Sequence, residues 1–271
     1  MHSSSTNMSK QSASDSVIEA AKNAKENRLM ELWQQFNIEY ETEGHCVEAL
    51  FERIMDGKQF RCRYCSSADI DRPWGARVAR CRGCGRNVYF TAGTFFDGIK
   101  LARPWVASIW LIEHGMVISA NRLHELVDVA YSSAWEMLRK ISLVLHAAMK
   151  EDDSAVSVSS ACFLGVVSKR SRSTPAEKHP QAEQKDYPPL EGLQDQVVAL
   201  IATSMDFIHE VFQGISRKYL QAYLAIFWCW IEQKCWGAGA LLKACCRFRY
   251  VSTAEVMAFR TPPMVRLLPG D

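Results

Sequence analysis

Two pairs of cysteines with the spacing Cys-X-X-Cys constrain the fold of this chain more than any other feature. The four residues are Cys62, Cys65, Cys81 and Cys84. A zinc ion takes four thiolates in a tetrahedron, and each Cys-X-X-Cys turn directs two sulfur atoms to one metal. Four protein ligands leave no open coordination position, so the pattern predicts a structural zinc site. The alternative is two disulfides, which the lack of a secretory signal pattern disfavours.

Basic charge is concentrated around these cysteines. Residues 58–103 contain ten Lys or Arg and three Asp, while the whole chain has a formal net charge of only +2. Basic charge around a zinc module indicates nucleic-acid binding, and we predict DNA contacts from Arg80, Arg82 and Arg86. The alternative is a solvated basic surface without a partner.

Six further cysteines show no second paired spacing. Most have apolar neighbours, which predicts small buried side chains. They are Cys46, Cys162, Cys229, Cys235, Cys245 and Cys246.

The N-terminal residues 1–16 are rich in serine and lack the charged-then-apolar pattern of a signal peptide. We expect a disordered tail there. The longest apolar run, near Leu224–Ile231, is too short to cross a bilayer. These features predict a cytoplasmic, nucleoid-associated protein with no membrane partner.

Apolar spacing predicts N-terminal helices over 17–56, one from 17 to 40 and one from 45 to 55. Asp56-Gly57 is a turn signal that ends the second. A zinc ribbon over 57–97 follows, with strands at Arg77–Cys81 and Asn87–Thr91. So small a module needs zinc for most of its stability.

Residues 98–150 predict three helices. Pro104 suits the first turn of a helix that ends near Gly115, and Ser119 suits the cap of the second. Ser132 or Ser133 is predicted to cap the third, after a short turn. This order is typical of a helix-turn-helix DNA-binding region, although a plain helical bundle has the same pattern.

The third helix would be the recognition helix. Its first turns would place Ser132 and Ser133 toward base edges, and Arg139 and Lys140 would face phosphates.

The remainder, 151–271, alternates between apolar and polar stretches. Residues 156–167 predict a strand, and 168–190 a polar linker. Helices are expected at 194–212 and 216–236, and the tail after Pro262-Pro263 is expected to be irregular.

Several motifs together resemble bacterial DDE-type insertion-sequence transposases with an N-terminal zinc ribbon and helix-turn-helix. The resemblance covers about residues 45–148. It rests on the ribbon followed by the stretches 90–96 (FTAGTFF), 118–120 (ISA) and 133–138 (SAWEML), and on a separate stretch, 214–224 (GISRKYLQAYL). It implies that the ribbon and helices bind the terminal inverted repeats of the element. It also implies a catalytic domain of RNase H-like fold that uses two divalent metal ions.

The chain departs from that family where the catalytic acids belong. Ser159 and Ser160 stand where the resemblance places the first Asp and the acid after it. A hydroxyl carries no charge and cannot replace a carboxylate that bridges two Mg²⁺ ions. We therefore expect no catalytic residues, and Mg²⁺ as a cofactor only if a catalytic site survives.

The expected fold is mainly α with small β, a zinc ribbon plus helix-turn-helix followed by a truncated α/β, RNase H-like remnant. The expected function is DNA binding without strand transfer, with double-stranded DNA as partner and a second copy of the chain as a further candidate.

Two alternatives stay open. One is an active transposase with a non-standard acidic site. The other is a zinc-stabilised module that binds protein through the aromatic residues Tyr223, Phe227, Trp228 and Trp230, which could instead fill the protein's own core.

Overall fold

The computed structural model describes residues 5–167 and 194–268. The chain divides into two compact units, residues 1–42 and residues 43–271. Both are mainly helical where they are described. None of the helices in the described ranges has the length and apolar character that crossing a membrane requires.

The first unit contains helix α1, Ser5–Glu39. The prediction of a helix over 17–40 is confirmed, but the disordered tail predicted over 1–16 is wrong from Ser5 onward. Extending an existing helix by one residue costs far less than starting a new one, so the helix continues into the serine-rich stretch. At the C-terminal end of α1, Phe36 stacks on Trp33 and on Tyr40, the residue after the helix, with ring centroids 5.3 and 5.2 Å apart.

The second unit begins with helix α2, Glu43–Met55, which confirms the predicted helix over 45–55. Its buried face consists of Cys46, Val47, Ala49 and Leu50. The helix ends at the predicted turn, where Asp56 and Gly57 have φ angles of 48° and 76°.

A three-stranded antiparallel sheet follows, with the strands β1, Ile70–Asp71, β2, Val78–Cys81, and β3, Asn87–Tyr89, in that order. The two predicted strands are present in slightly shorter form, and β1 was not predicted. Val78 pairs with Tyr89, and Arg80 pairs with Asn87. The side chains of β2 alternate between exposed and buried positions, so Arg80 lies on the exposed face of the sheet.

Three helices come next: α3, Arg103–Glu113, α4, Ala120–Val127, and α5, Tyr131–Lys150. Pro104 lies in the first turn of α3, and Gly115, with φ at 73°, follows its end, as predicted. The Ser119 hydroxyl caps α4 by accepting from the Arg122 N–H at 3.3 Å. The predicted cap of the third helix is wrong, because α5 already begins at Tyr131 and its N-cap is Ala130.

The C-terminal part starts with strand β4, Val156–Ser159, and a 3₁₀ helix, Ser160–Val166. The single strand predicted over 156–167 is therefore too long. It ends because the Ser159 hydroxyl accepts from the Ala161 N–H and caps the 3₁₀ turn. The linker predicted over 168–190 lies outside the described residues.

After residue 193 the described chain contains helices α6, Asp195–Phe212, α7, Leu220–Ile231, α8, Gln233–Trp236, α9, Ala240–Arg247, and α10, Thr253–Ala258. A 3₁₀ helix, Arg217–Tyr219, precedes α7. The tail expected to be irregular contains strand β5, Met264–Leu267, which pairs antiparallel with β4.

Helix α7 lies at the centre of the second unit. It packs along α5 and contacts α3, α6 and β5. The buried amide of Gln221 on α7 donates to the Arg266 carbonyl at 3.1 Å and accepts from the Arg266 N–H at 2.7 Å. The predicted boundary between 98–150 and 151–271 therefore falls inside one compact unit.

Carboxylates from distant helices cap two helix ends that have no side-chain cap of their own. Glu43 on α2 accepts from the N–H groups of Ala102 and Arg103 at the start of α3, at 2.6 and 2.9 Å. Glu113 on α3 is buried and accepts from the Leu242 N–H in the first turn of α9 at 2.8 Å. A carboxylate at a helix N-terminus is stabilised by the free N–H groups and the helix dipole.

Replacing Glu113 with Ala should lower the free energy of unfolding by about 2–3 kcal/mol, because it leaves a buried helix N-terminus without its charged acceptor. Denaturant unfolding followed by circular dichroism measures the effect. Glu125, on the exposed side of α4, is the matched control. An equal loss of stability in Glu113→Ala and Glu125→Ala would contradict the capping role.

Candidate metal centre

The four paired cysteines converge at one point. Their sulfur atoms all lie within 4.8 Å of one another. The Sγ atoms of Cys62 and Cys84 are 3.6 Å apart, and those of Cys65 and Cys81 are 3.5 Å apart. Zinc–sulfur bonds of about 2.3 Å place the sulfur atoms of a tetrahedral site about 3.8 Å apart. None of the four is in a disulfide, so the cluster fits a four-thiolate zinc site.

The two cysteine turns have the same backbone geometry. In the first, the Ser66 N–H donates to the Cys62 carbonyl at 2.8 Å, and in the second the Gly85 N–H donates to the Cys81 carbonyl at 2.8 Å. The closing residue has a left-handed φ in both turns, 59° at Ser66 and 71° at Gly85. Glycine adopts this conformation readily at position 85, whereas Ser66 adopts it at a steric cost.

Gly83 has a different role from the one its turn position suggests. Its φ is not positive. A Cβ atom there would lie 3.1 Å from the Ser67 Cβ and 3.6 Å from the Cys65 Sγ. Glycine at this position therefore lets the second turn approach the first closely enough for the four sulfur atoms to meet.

The backbone also stabilises negative charge on sulfur. The Tyr64 N–H donates to the Cys62 Sγ at 3.4 Å. Burial by itself raises the pKa of the Cys62 thiol, but the N–H groups of Tyr64 and Cys65 and the Cys84 thiol together lower this pKa to about 7. In contrast, burial raises the pKa of Cys46 to about 12, and Cys46 lies outside the cluster.

The sheet has little apolar material of its own. Its core consists of Cys62, Cys81 and Val88, with Phe60 and Ile70 packed against them. A core of this size cannot offset the conformational entropy of forty residues, so a metal ion would supply most of the stability of the ribbon. Glu48 on α2 holds the loop before β2 by accepting from the Gly75 N–H and the Arg72 guanidinium.

An exposed basic surface surrounds the cysteine cluster. The Tyr64 ring, 52% exposed, has the guanidinium carbon of Arg86 at 4.8 Å and that of Arg63 at 5.6 Å from its centroid. Within the described part of the chain, Arg63, Arg80 and Arg86 form no ion pair. Residues 63 and 64 lie inside the first Cys-X-X-Cys turn, and that position could have identified them from the sequence.

The remaining predicted arginine of the ribbon, Arg82, is exposed but paired. Its guanidinium lies 3.3 Å from Asp71 and 4.0 Å from Asp69, and both acids belong to the loop and strand beside it. These carboxylates offset its charge, so it contributes less to the basic surface than Arg80 and Arg86.

The phosphate contacts predicted for Arg139 and Lys140 do not agree with the structure. Arg139 is 8% exposed and Lys140 is 7% exposed. Lys140 forms an ion pair with Glu136 at 2.9 Å, and Arg139 lies between the rings of Trp135 and Tyr219. The error arises because both sides of α5 are covered at its midpoint, where helical periodicity alone suggested an exposed side.

The two serines predicted to face bases lie at the start of α5, where Ser132 is exposed and Ser133 is half-buried. Ser133 lines a cavity of about 420 Å³ together with Lys100, Trp105 and Glu136. Ser132 is therefore the more accessible of the two residues.

The two serines in place of the expected acids lie at the end of β4. The Ser160 hydroxyl is buried and accepts from the Arg217 guanidinium at 3.4 Å. Among residues 5–167 and 194–268, the four cysteines are the only group of three or more His, Cys, Asp or Glu side chains close enough to hold a metal ion.

Comparisons of the chain with protein-family models, curated proteins and solved structures find no match.

The metal centre makes a direct prediction. Purified protein should contain about one zinc ion per chain, because the four thiolates complete one tetrahedral site. Cys81→Ser should lose the zinc and the hydrogen-exchange protection of residues 57–97. Cys235 lies outside the cluster and is exposed, so its predicted burial is wrong, and Cys235→Ser should retain both properties. Elemental analysis and hydrogen exchange measure the two properties, and full zinc content in Cys81→Ser would contradict the assignment.

The left-handed closing residues make a second prediction. Ser66→Gly should raise the free energy of unfolding of the zinc-loaded protein, and Gly85→Ala should lower it, each by about 1 kcal/mol. An added Cβ at Gly85 meets no atom within 4 Å, so the cost there is conformational alone. Denaturant unfolding of the pair provides the measurement. If both substitutions changed the free energy of unfolding in the same direction, backbone strain at these two positions would not explain the effects.

Proposed function

We propose that this chain is a DNA-binding protein of the transposase type that lacks strand-transfer activity. Its zinc ribbon contacts the phosphate backbone of the DNA. One observation carries the proposal. Two exposed arginines, Arg63 and Arg86, flank an exposed tyrosine directly beside the cysteine cluster, and neither forms an ion pair with any residue that the structure describes. Arginine contacts phosphates and stacks on bases, and an interleaved aromatic ring is typical of nucleic-acid surfaces.

The position of Arg80 extends this surface. It projects from the exposed face of β2, where its cross-strand neighbours include Asn87, also exposed. Helix α4, the three-residue connection 128–130 and helix α5 have the order of a helix-turn-helix, and the exposed Ser132 lies in the first turn of α5. We assign Ser132 a contact with DNA on this basis, whereas the buried Arg139 and Lys140 contribute no contact.

The surroundings of Ser160 support the second half of the proposal. A divalent cation needs carboxylate oxygens and avoids a neighbouring positive charge. At the end of β4 it would meet two hydroxyl groups and the Arg217 guanidinium. This environment disfavours Mg²⁺, as expected for a protein that binds DNA ends or related DNA without cutting them.

The protein-interaction alternative receives less support. Phe227 and Trp228 on α7 are buried, and the 38% exposed Trp230 packs at 5.1 Å from Phe207. The aromatic helix thus fills the core of its own unit.

The proposal predicts DNA binding that weakens with salt. Each phosphate contact should contribute about 0.9 to the slope of log affinity against log salt concentration. Arg80→Ala and Arg86→Ala should each reduce that slope by about one and weaken binding, whereas Arg260→Ala, an exposed arginine outside the ribbon, should leave it unchanged. Fluorescence anisotropy with a labelled duplex at several salt concentrations measures the slope.

Two results would overturn parts of this proposal. Absence of binding to any duplex at low salt would remove the DNA-binding function. Nicking of DNA that depends on Mg²⁺ and is lost in a carboxylate variant would remove the claim that strand-transfer chemistry is absent.

A further inference from the structure

A cavity of about 420 Å³ lies between the start of α4, one side of α5, the C-terminal end of α6 and helix α7. It is distinct from the cysteine cluster and the basic surface of the ribbon. Its lining combines hydroxyl groups, aromatic rings and one cationic side chain, Arg139, and no acidic residue of the described chain contributes to it. A volume of this size is in the range of pockets that hold small organic molecules.

The charged side chain of Arg139 is buried between two aromatic rings. Only 8% of it is exposed, and its guanidinium carbon lies 3.2 Å from the Trp135 ring centroid and 3.0 Å from that of Tyr219. The planes of the two rings are nearly perpendicular, at 83°, and their centroids lie 5.9 Å apart, so the guanidinium carbon lies between the two rings. Within the described part of the chain, its Nε and Nη1 groups are buried and have no hydrogen-bond partner.

A buried guanidinium is unfavourable when no carboxylate pairs with it, because burial removes the hydration of its charge. Burial accordingly lowers the pKa of Arg139, although Tyr223 and Tyr219 partly oppose this change. Arg139 lines the cavity, so an anion bound there would offset the charge and accept hydrogen bonds from the guanidinium.

A second source of positive potential faces the same cavity. Ser119, Ala120 and Asn121 at the N-terminus of α4 line it. The first N–H groups of a helix have no partner within the helix and, with the helix dipole, favour an anion. The Ser119 hydroxyl caps α4 by accepting from the Arg122 N–H. The N–H groups of Ala120 and Asn121 therefore remain available for an external acceptor.

The rest of the lining is aromatic. Phe212 and Tyr223 lie with ring centroids 4.5 Å apart, and Tyr131 is 53% exposed. These rings provide apolar surface for a carbon framework beside the cationic end of the cavity.

We propose that this cavity binds a small organic anion. Its phosphate or carboxylate group would accept hydrogen bonds from Arg139 and the first turn of α4, and its apolar body would contact the aromatic rings. The site is independent of the ribbon, and its test is therefore separate from that of DNA binding.

Phenyl phosphate and inorganic phosphate are suitable probes with the full zinc-loaded chain. Both should bind saturably and raise the melting temperature by mass action, and phenyl phosphate should bind more tightly because its ring meets apolar surface. Calorimetric titration gives the affinities. Arg139→Gln should lose saturable binding, with far-ultraviolet circular dichroism and zinc content confirming that the variant folds.

A second pair of variants avoids the buried core. Ser216 is exposed, lines the cavity and is the N-cap of the 3₁₀ helix that precedes α7, where Asp and Asn are both favoured. Ser216→Asp should weaken phenyl phosphate binding by about tenfold through charge repulsion, and Ser216→Asn, which has the same size without the charge, should bind about as tightly as the native chain.

Several outcomes would overturn the proposal. One is no binding of either probe, and another is equal affinity in Arg139→Gln, Ser216→Asp and the native chain. If a short duplex alone, and neither small probe, gives binding that depends on Arg139, the cavity receives a backbone phosphate of DNA and the small-molecule assignment is wrong.

Discussion

The convergence of four cysteine sulfur atoms is the constraint on which the ribbon and its surface depend. The strands contain only two to four residues each, and the core between them is too small to order the segment. The two matched turns bring the sulfur atoms together and fix the register of β2 with β3. That register determines which residues face outward, Arg80 among them. Two phenylalanines of the ribbon pack on the helices. The ring centroid of Phe90 lies 5.2 Å from that of Phe51 on α2, and the ring centroid of Phe95 lies 5.4 Å from that of Trp105 on α3, so the ribbon is continuous with the helical core.

Much of this arrangement follows from local sequence rules. The cysteine spacing predicted the cluster, and Pro104, Ser119 and the Asp56-Gly57 turn predicted helix ends that the structure confirms, because caps and turns depend on residues close in sequence. The contacts that join these elements could not be predicted in this way. Glu43 and Glu113 cap helices 59 and 129 residues away. Nothing local marks an exposed-looking glutamate as a tertiary cap, and the pairing of β4 with β5 likewise joins segments more than 100 residues apart.

The same limit explains why the two basic residues of α5 were misjudged. Arg139 and Lys140 have the charge and helical position of phosphate contacts, yet α7, α10 and the segment around Tyr219 and Tyr250 cover them. The burial of Arg139 places its charge at a cavity instead of on the surface. The described residues thus include two separate cationic features: an exposed group of arginines on the ribbon, suited to a polyanion, and the enclosed guanidinium of Arg139, suited to a small anion.

The most direct test of the central claim is hydrogen exchange of the zinc-loaded chain with and without duplex DNA. If the ribbon is the DNA-binding surface, DNA should increase protection in the two cysteine turns and along β2, residues 61–66 and 80–86, and at the start of α5 near Ser132. Increased protection confined to other segments, or none at DNA concentrations where a complex forms, would contradict the account.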